Sequence, residues 1–156
     1  MAFAYLSQRD PRWKDVKLGA SNLTMEKFGC TTTALCMALR SFGYDIWPDA
    51  IAKRKENYTK DGLILWNNLL LPGNFKFKMR IGSPSNFVRN DKEIIKSIKD
   101  PNGFVLLSVG NNTHWVLAMS KLLLRDNYKV ADPWKGKQEI CIPEFKNITG
   151  SSHFSR

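Results

Sequence analysis

With 156 residues, 43% of them hydrophobic and 12% aromatic, the chain is long enough for one folded domain, residues 1–156, and too apolar for a disordered tail. Lys and Arg outnumber Asp and Glu by 24 to 14, a net charge of +10, so its surface attracts polyanions such as nucleic acid, teichoic acid, peptidoglycan or anionic lipid. Three cysteines make no disulfide framework and two histidines no His-based metal cluster; with no zinc-ligand spacing, no glycine-rich phosphate loop and no RNA-binding aromatic signature, the residues predict no metal and no cofactor, and leave nucleic acid resting on charge alone.

The opening Met1-Ala2-Phe3-Ala4-Tyr5-Leu6-Ser7-Gln8-Arg9-Asp10 has neither the basic start nor the apolar run of a signal peptide, and no stretch is long enough to span a bilayer. The protein is therefore expected to be made in the cytoplasm. Gln8-Arg9-Asp10-Pro11-Arg12-Trp13 is polar and broken by proline, which predicts an ordered loop, and loop continues through residues 18–21. After Gly29, the apolar residues Leu35, Ala38, Leu39 and Phe42 recur at helical spacing and predict a helix buried on one face, from Cys30 to about Ser41, with Gly43 as its stop. A short helix starts at Pro48 and carries Ala50, Ile51 and Ala52; Lys53-Arg54-Lys55 continues it as a solvated face.

Asp61-Gly62 marks a turn, and the apolar run 63–71, ended by Pro72-Gly73, predicts another helix. Phe75, Phe77, Met79 and Ile81 then alternate with Lys76, Lys78 and Arg80, the period of a half-buried strand. Residues 91–99 form an amphipathic helix with Ile94, Ile95 and Ile98 on one side. Strands follow at 104–109, 115–119 and 128–132, the last two separated by an Asp126-Asn127 turn, with more at 138–142 and 148–154. A helical half followed by strand upon strand is α+β, with an antiparallel sheet.

Cys30 would open its helix, where free N–H groups and the positive end of the helix dipole favour a thiolate. Gly29 permits a tight entry turn, and Thr31, Thr32 and Thr33 offer hydroxyls to cap the first-turn N–H groups. A cysteine near a helix start is usually a small buried hydrophobe, and that reading suffices for Cys36, inside the helix, and for Cys141, flanked by Ile140 and Ile142 in a strand-like run. Cys30 departs from it only if a base stands nearby. His114 starts one strand and Asp132 ends the next, and a hairpin brings such ends side by side. Alone, His114 reads as a structural histidine and Asp132 as a turn cap before Pro133; with Cys30 they make a nucleophile, a base and a group that orients the base.

Gln8-Arg9-Asp10-Pro11-Arg12-Trp13, Gly29-Cys30-Thr31-Thr32-Thr33-Ala34, Thr113-His114-Trp115-Val116 and Ala131-Asp132-Pro133-Trp134-Lys135-Gly136, in this order, resemble the papain-like cysteine peptidases that cut bacteriocin leader peptides (the double-glycine peptidase-like family), and more narrowly their stand-alone bacterial and phage relatives. The resemblance implies a papain-like fold: a helical N-terminal half, with the nucleophile at a helix N-terminus, packed on a C-terminal antiparallel sheet. It makes Cys30 the nucleophile, His114 the general base and Asp132 the residue that orients the imidazole. The Gln8 side chain and the Cys30 backbone N–H become oxyanion donors, each worth roughly 3 kcal/mol of barrier. Trp115 and Trp134 are the candidate substrate-binding residues. Two positions depart from the pattern: Thr31 replaces the usual Pro or Gly after the nucleophile, and Thr113 the Gly before the histidine.

With no transporter domain in the chain, leader processing is disfavoured, and the implied activity is a peptidoglycan-directed peptidase or amidase. Such an enzyme is endolysin-like or virion-associated, drawn to an anionic cell-wall polymer and released at lysis or carried in a virion. Processing of a protein precursor, which would call for an apolar cleft walled by aromatics such as Trp66, Trp115 or Trp134, and a catalytically silent papain-like binding module are the competing readings.

Overall fold

The helix expected after Gly29 forms as α2 (Cys30–Ser41), preceded by a single helical turn, α1 (Met25–Phe28). The computed structural model describes residues 3–156; Met1 and Ala2, which open the segment without signal-peptide features, lie outside the described residues. Contrary to a one-face stripe, α2 is buried all round from Thr32 to Leu39. Trp13, Leu18, Tyr58 and the short helix α3 (Pro48–Ala52) join the same apolar cluster as its Leu35, Met37 and Leu39, together with Leu106, Leu117 and Phe154 of the sheet. Leu6 N–H even donates to the Met37 sulfur, at 3.3 Å. The N-terminal loop is ordered for a related reason: Trp13 is buried and its indole N–H donates to the Ser7 carbonyl at 2.8 Å.

Six strands, β1 (Lys76–Ile81), β2 (Gly103–Val109), β3 (His114–Lys121), β4 (Tyr128–Asp132), β5 (Lys137–Ile140) and β6 (Ile148–Ser155), make one antiparallel sheet in the order β1-β6-β2-β3-β4-β5. With five α-helices among the described residues, the architecture is α+β. The sheet has apolar cover on both faces. Phe104, Leu106, Leu117, Ala131 and Phe154 belong to the cluster around α2, whereas Val105, Leu107, Val109, Val116 and Val130 pack with Ile94 of α4 (Asp91–Lys99). Successive side chains of a strand point to opposite faces, so β2, buried along its whole length, serves both layers. Asn90 caps α4 by accepting the Glu93 N–H at 3.2 Å. No helix among the described residues is long and apolar enough to cross a membrane.

Local expectations also fail in three further segments. Residues 63–71 form no α-helix but a loop with one 3-10 turn, Trp66–Asn68. Buried Asn57 takes the N–H groups a helix would need: its carbonyl accepts Leu65 N–H at 2.8 Å and its side chain accepts Leu70 N–H at 2.9 Å, while Trp66 is fixed between Phe77, Trp115 and Phe154. The Lys53-Arg54-Lys55 run is exposed but lies past the end of α3. β5 stops at Ile140, and Cys141 begins a short turn of helix, α5 (Cys141–Glu144), because Asn127 captures Ile142 by accepting its N–H at 3.0 Å and donating to its carbonyl.

At the β3–β4 connection Leu123 and Leu124 are each 98% exposed. Replacing both by serine is expected to change stability by less than about 0.5 kcal/mol per site, read as an unmoved urea midpoint; a larger loss would mean that the tip packs in solution.

Candidate active site

Cys30 owes its position to two close approaches. The last turn before it, α1, leads into α2 through Gly29, whose φ of −89° is ordinary. What requires glycine is space: a Cβ there would lie 2.5 Å from the Met25 carbonyl oxygen and 2.7 Å from the Met25 sulfur. Gly29 brings no side chain to cap the first turn, and the threonines do not cap it either. The Thr32 hydroxyl pairs with Tyr58 Oη at 2.5 Å, and Thr31 Oγ1 lies 4.0 Å from the Cys30 sulfur.

His114 is the first residue of β3 and Asp132 the last of β4, and the antiparallel register, with Leu117 opposite Ala131, puts them at the same end of the sheet. His114 Nε2 and Asp132 Oδ1 are 2.7 Å apart. Asp132 is 1% exposed and also accepts the Trp134 N–H at 2.9 Å. With Nε2 so engaged, Nδ1 is the ring nitrogen left for Cys30, whose charge raises the His114 pKa. Phe145 lies against the ring, centroids 5.7 Å apart.

These contacts set the charges. Burial opposes a thiolate at Cys30, but the hydrogen bond and charge of His114, the Trp115 backbone N–H and the Thr31 hydroxyl outweigh it and hold the thiol below its ordinary range. Burial likewise opposes charge on His114, yet Asp132 and Cys30 prevail and push its pKa up to about 9. The Asp132 carboxyl, despite burial, is held below the usual range by His114 and the Trp134 and Lys135 amides. At neutral pH the arrangement favours thiolate beside imidazolium. The other thiols contrast with it: Cys36 and Cys141 are buried, and burial pushes each up to about 12. His153 is buried between Ser97 Oγ and Ser151 Oγ, at 2.7 and 2.8 Å, and its pKa is lowered by burial, so it stays neutral.

Gln8 is brought to the neighbourhood and anchored there. Its backbone N–H donates to Pro133 O and its side-chain Nε2 to Glu26 O, both at 2.8 Å, so it braces the loop after Asp132 against α1. Among the described residues no hydrogen bond joins Gln8 to Cys30. Gly136 permits this crossing, since at its φ of +66° a Cβ would come within 2.9 Å of Ser7 Cβ.

Trp115 and Trp134 fall in different cavities. Trp134, 42% exposed under the Arg9 guanidinium at 4.3 Å, lines one of about 420 Å³ with His114, Asp132 and Phe145. Trp115 lines another, of about 440 Å³, with Thr31, Tyr58, Trp66 and two residues that the sequence did not single out, Arg80 and Asn112. In the sequence Arg80 is one more polar residue of an alternating strand and Asn112 part of a turn, and neither carries a local signal of this position. No protein-family model matches the chain, and no curated protein matches it either.

Proposed function

We propose that the chain is a cysteine peptidase or amidase of the papain-like kind, acting through Cys30, His114 and Asp132 on peptide bonds of an anionic substrate, peptidoglycan first among them. The observation that carries the reading is the His114 Nε2–Asp132 Oδ1 pair, at 2.7 Å with the carboxylate buried, together with a helix-opening thiol whose pKa His114 lowers, the set of groups by which nucleophiles are activated. The four-motif resemblance and the net charge of +10 support the choice of family and substrate; an anionic wall polymer concentrates a cationic enzyme.

The Cys30 thiolate attacks the amide carbon, forming a C–S bond and an oxyanion. The Cys30 backbone N–H and the second N–H of Gln8 Nε2, the one not given to Glu26, donate to that oxygen. The His114 imidazolium protonates the leaving nitrogen, the C–N bond breaks, and a thioester remains. Water then attacks with its proton passing to His114, and collapse of the intermediate releases the acid and restores the thiolate.

Intact protein treated with iodoacetamide at pH 7 is expected to gain a single adduct, on Cys30, and Cys30→Ala to lose both that adduct and the release of new amino groups from purified peptidoglycan. Equal, slow alkylation of all three cysteines would sink the activated-thiolate reading. Retained hydrolysis in Cys30→Ala would sink the nucleophile assignment.

A further inference from the structure

The cavity beside Trp115 holds a charge that has no counter-ion among the described residues. Of the three half-buried arginines among the described residues, Arg40 faces Asp45 at 3.3 Å and Arg89 faces Asp91 at 2.9 Å. Arg80 belongs to none of the ion pairs among those residues. Its guanidinium stacks 5.2 Å from the Trp115 ring centroid, donates from Nη2 to Asn112 Oδ1 at 3.3 Å, and leaves Nε buried with no partner. Burial alone moves its pKa, downward, with no neighbouring charge to offset the cost.

The side chain is nonetheless held in place. Thr149 Oγ1 donates to Ser108 Oγ at 2.9 Å, Ser108 Oγ donates to Asn112 Oδ1 at 2.8 Å, and Asn112, with φ of +66°, turns that oxygen toward Arg80. Neutral acceptors orient the fork without neutralising it. The remaining lining residues include Thr31, next to Cys30, and Trp115, next to His114, so a chain seated on the nucleophile passes this cavity. A planar guanidinium with free donors suits a carboxylate, which it binds through two parallel N–H···O bonds.

We infer that the Arg80–Asn112–Trp115 cavity is a substrate subsite for a carboxylate, a side-chain or terminal carboxyl carried by the peptide close to the bond that Cys30 attacks. The inference rests on the peptidase reading and narrows it to acidic peptides. The carboxylate supplies the missing counter-ion, and Trp115 and Trp66 cover the adjoining apolar part of the residue.

The test uses bis-amide epoxysuccinyl probes with peptide arms on both sides of the electrophile, bearing Glu or its isostere Gln at each arm position. At one position the Glu probe is expected to inactivate Cys30 at least about tenfold faster than the Gln probe. The Glu-to-Gln ratio is expected to fall to about one in Arg80→Gln and to an intermediate value in Arg80→Lys, which keeps the charge but not the fork. Because the readout is a ratio within one protein sample, partial unfolding of a variant does not imitate the result. No preference for Glu at any position, with Gln probes still capturing Cys30, would overturn the carboxylate subsite and leave the peptidase reading standing. A preference that survives Arg80→Gln would remove Arg80 from the assignment. Capture of Cys30 by every probe no faster than that of free cysteine would overturn both.

Discussion

Alkylation of Cys30 by iodoacetamide at pH 7 is expected to slow by about tenfold or more when His114 is replaced by alanine, and peptide hydrolysis by far more. His114 supplies both the main hydrogen bond and the main opposing charge that keep the Cys30 thiol low. Without them burial is opposed only by the smaller effects of the Trp115 N–H and the Thr31 hydroxyl, and the thiol moves back toward its ordinary value of about 8.5, where only a few per cent is thiolate at pH 7. That lowers the share of attacking thiolate at pH 7, partly offset because a thiolate of higher pKa is a better nucleophile. Hydrolysis also loses the proton donor to the leaving nitrogen, a further factor of about 10²–10⁴.

The wild-type pH profile follows from the same pair. His114 titrates at about 9, so hydrolysis, which needs the imidazolium as acid, is expected to fall above that pH. Its acid limb is set by protonation of the depressed thiol. Stopped-flow alkylation and peptide hydrolysis from pH 4 to pH 10, on wild type and His114→Ala, measure both. An unchanged alkylation rate in the variant would show that the helix N-terminus alone activates Cys30.

How far the sequence carries depends on how local each cause is. α4 is readable to its ends, because its cap at Asn90 and its Ile94, Ile95 and Ile98 stripe lie within the segment. The meeting of His114 with Asp132 is readable too, since a hairpin joins the first end of one strand to the last end of the next. Residues 63–71 are not, because Asn57, well upstream, decides where their N–H groups go. The second buried face of the sheet is hidden for a similar reason: α4 precedes β2 in the chain, and only the strand order shows which face it covers. At the site, the thiol, imidazole and carboxylate are residue types whose chemistry suggests their use. Gln8 braced between Pro133 and Glu26, and Arg80 oriented by Asn112, depend on contacts between distant segments that no local pattern records.

Asp132→Ala is expected to lower stability by about 3 kcal/mol, more than any exposed substitution in this chain. The carboxylate is buried and accepts from the His114 ring, through Nε2, and from the Trp134 N–H. Alanine leaves both donors unsatisfied, at about 1–3 kcal/mol each. Asparagine keeps an acceptor oxygen, so Asp132→Asn should lose less stability while still lowering the His114 pKa. The pH dependence separates this pair from generic packing. The Asp132 carboxyl lies below its unfolded value of about 3.9, so its contribution is present above that pH and fades as the solution is made more acid. His114 lies above its unfolded value of about 6.5, at about 9, so its contribution is full below about 6.5 and is lost as pH rises through 9. The stability gap between wild type and Asp132→Ala should therefore be widest between about pH 4 and pH 6.5 and should narrow on either side. Urea denaturation at pH 3, 5.5 and 9.5 measures it; a gap constant across the three would mean that Asp132 acts by filling space and not by pairing with His114.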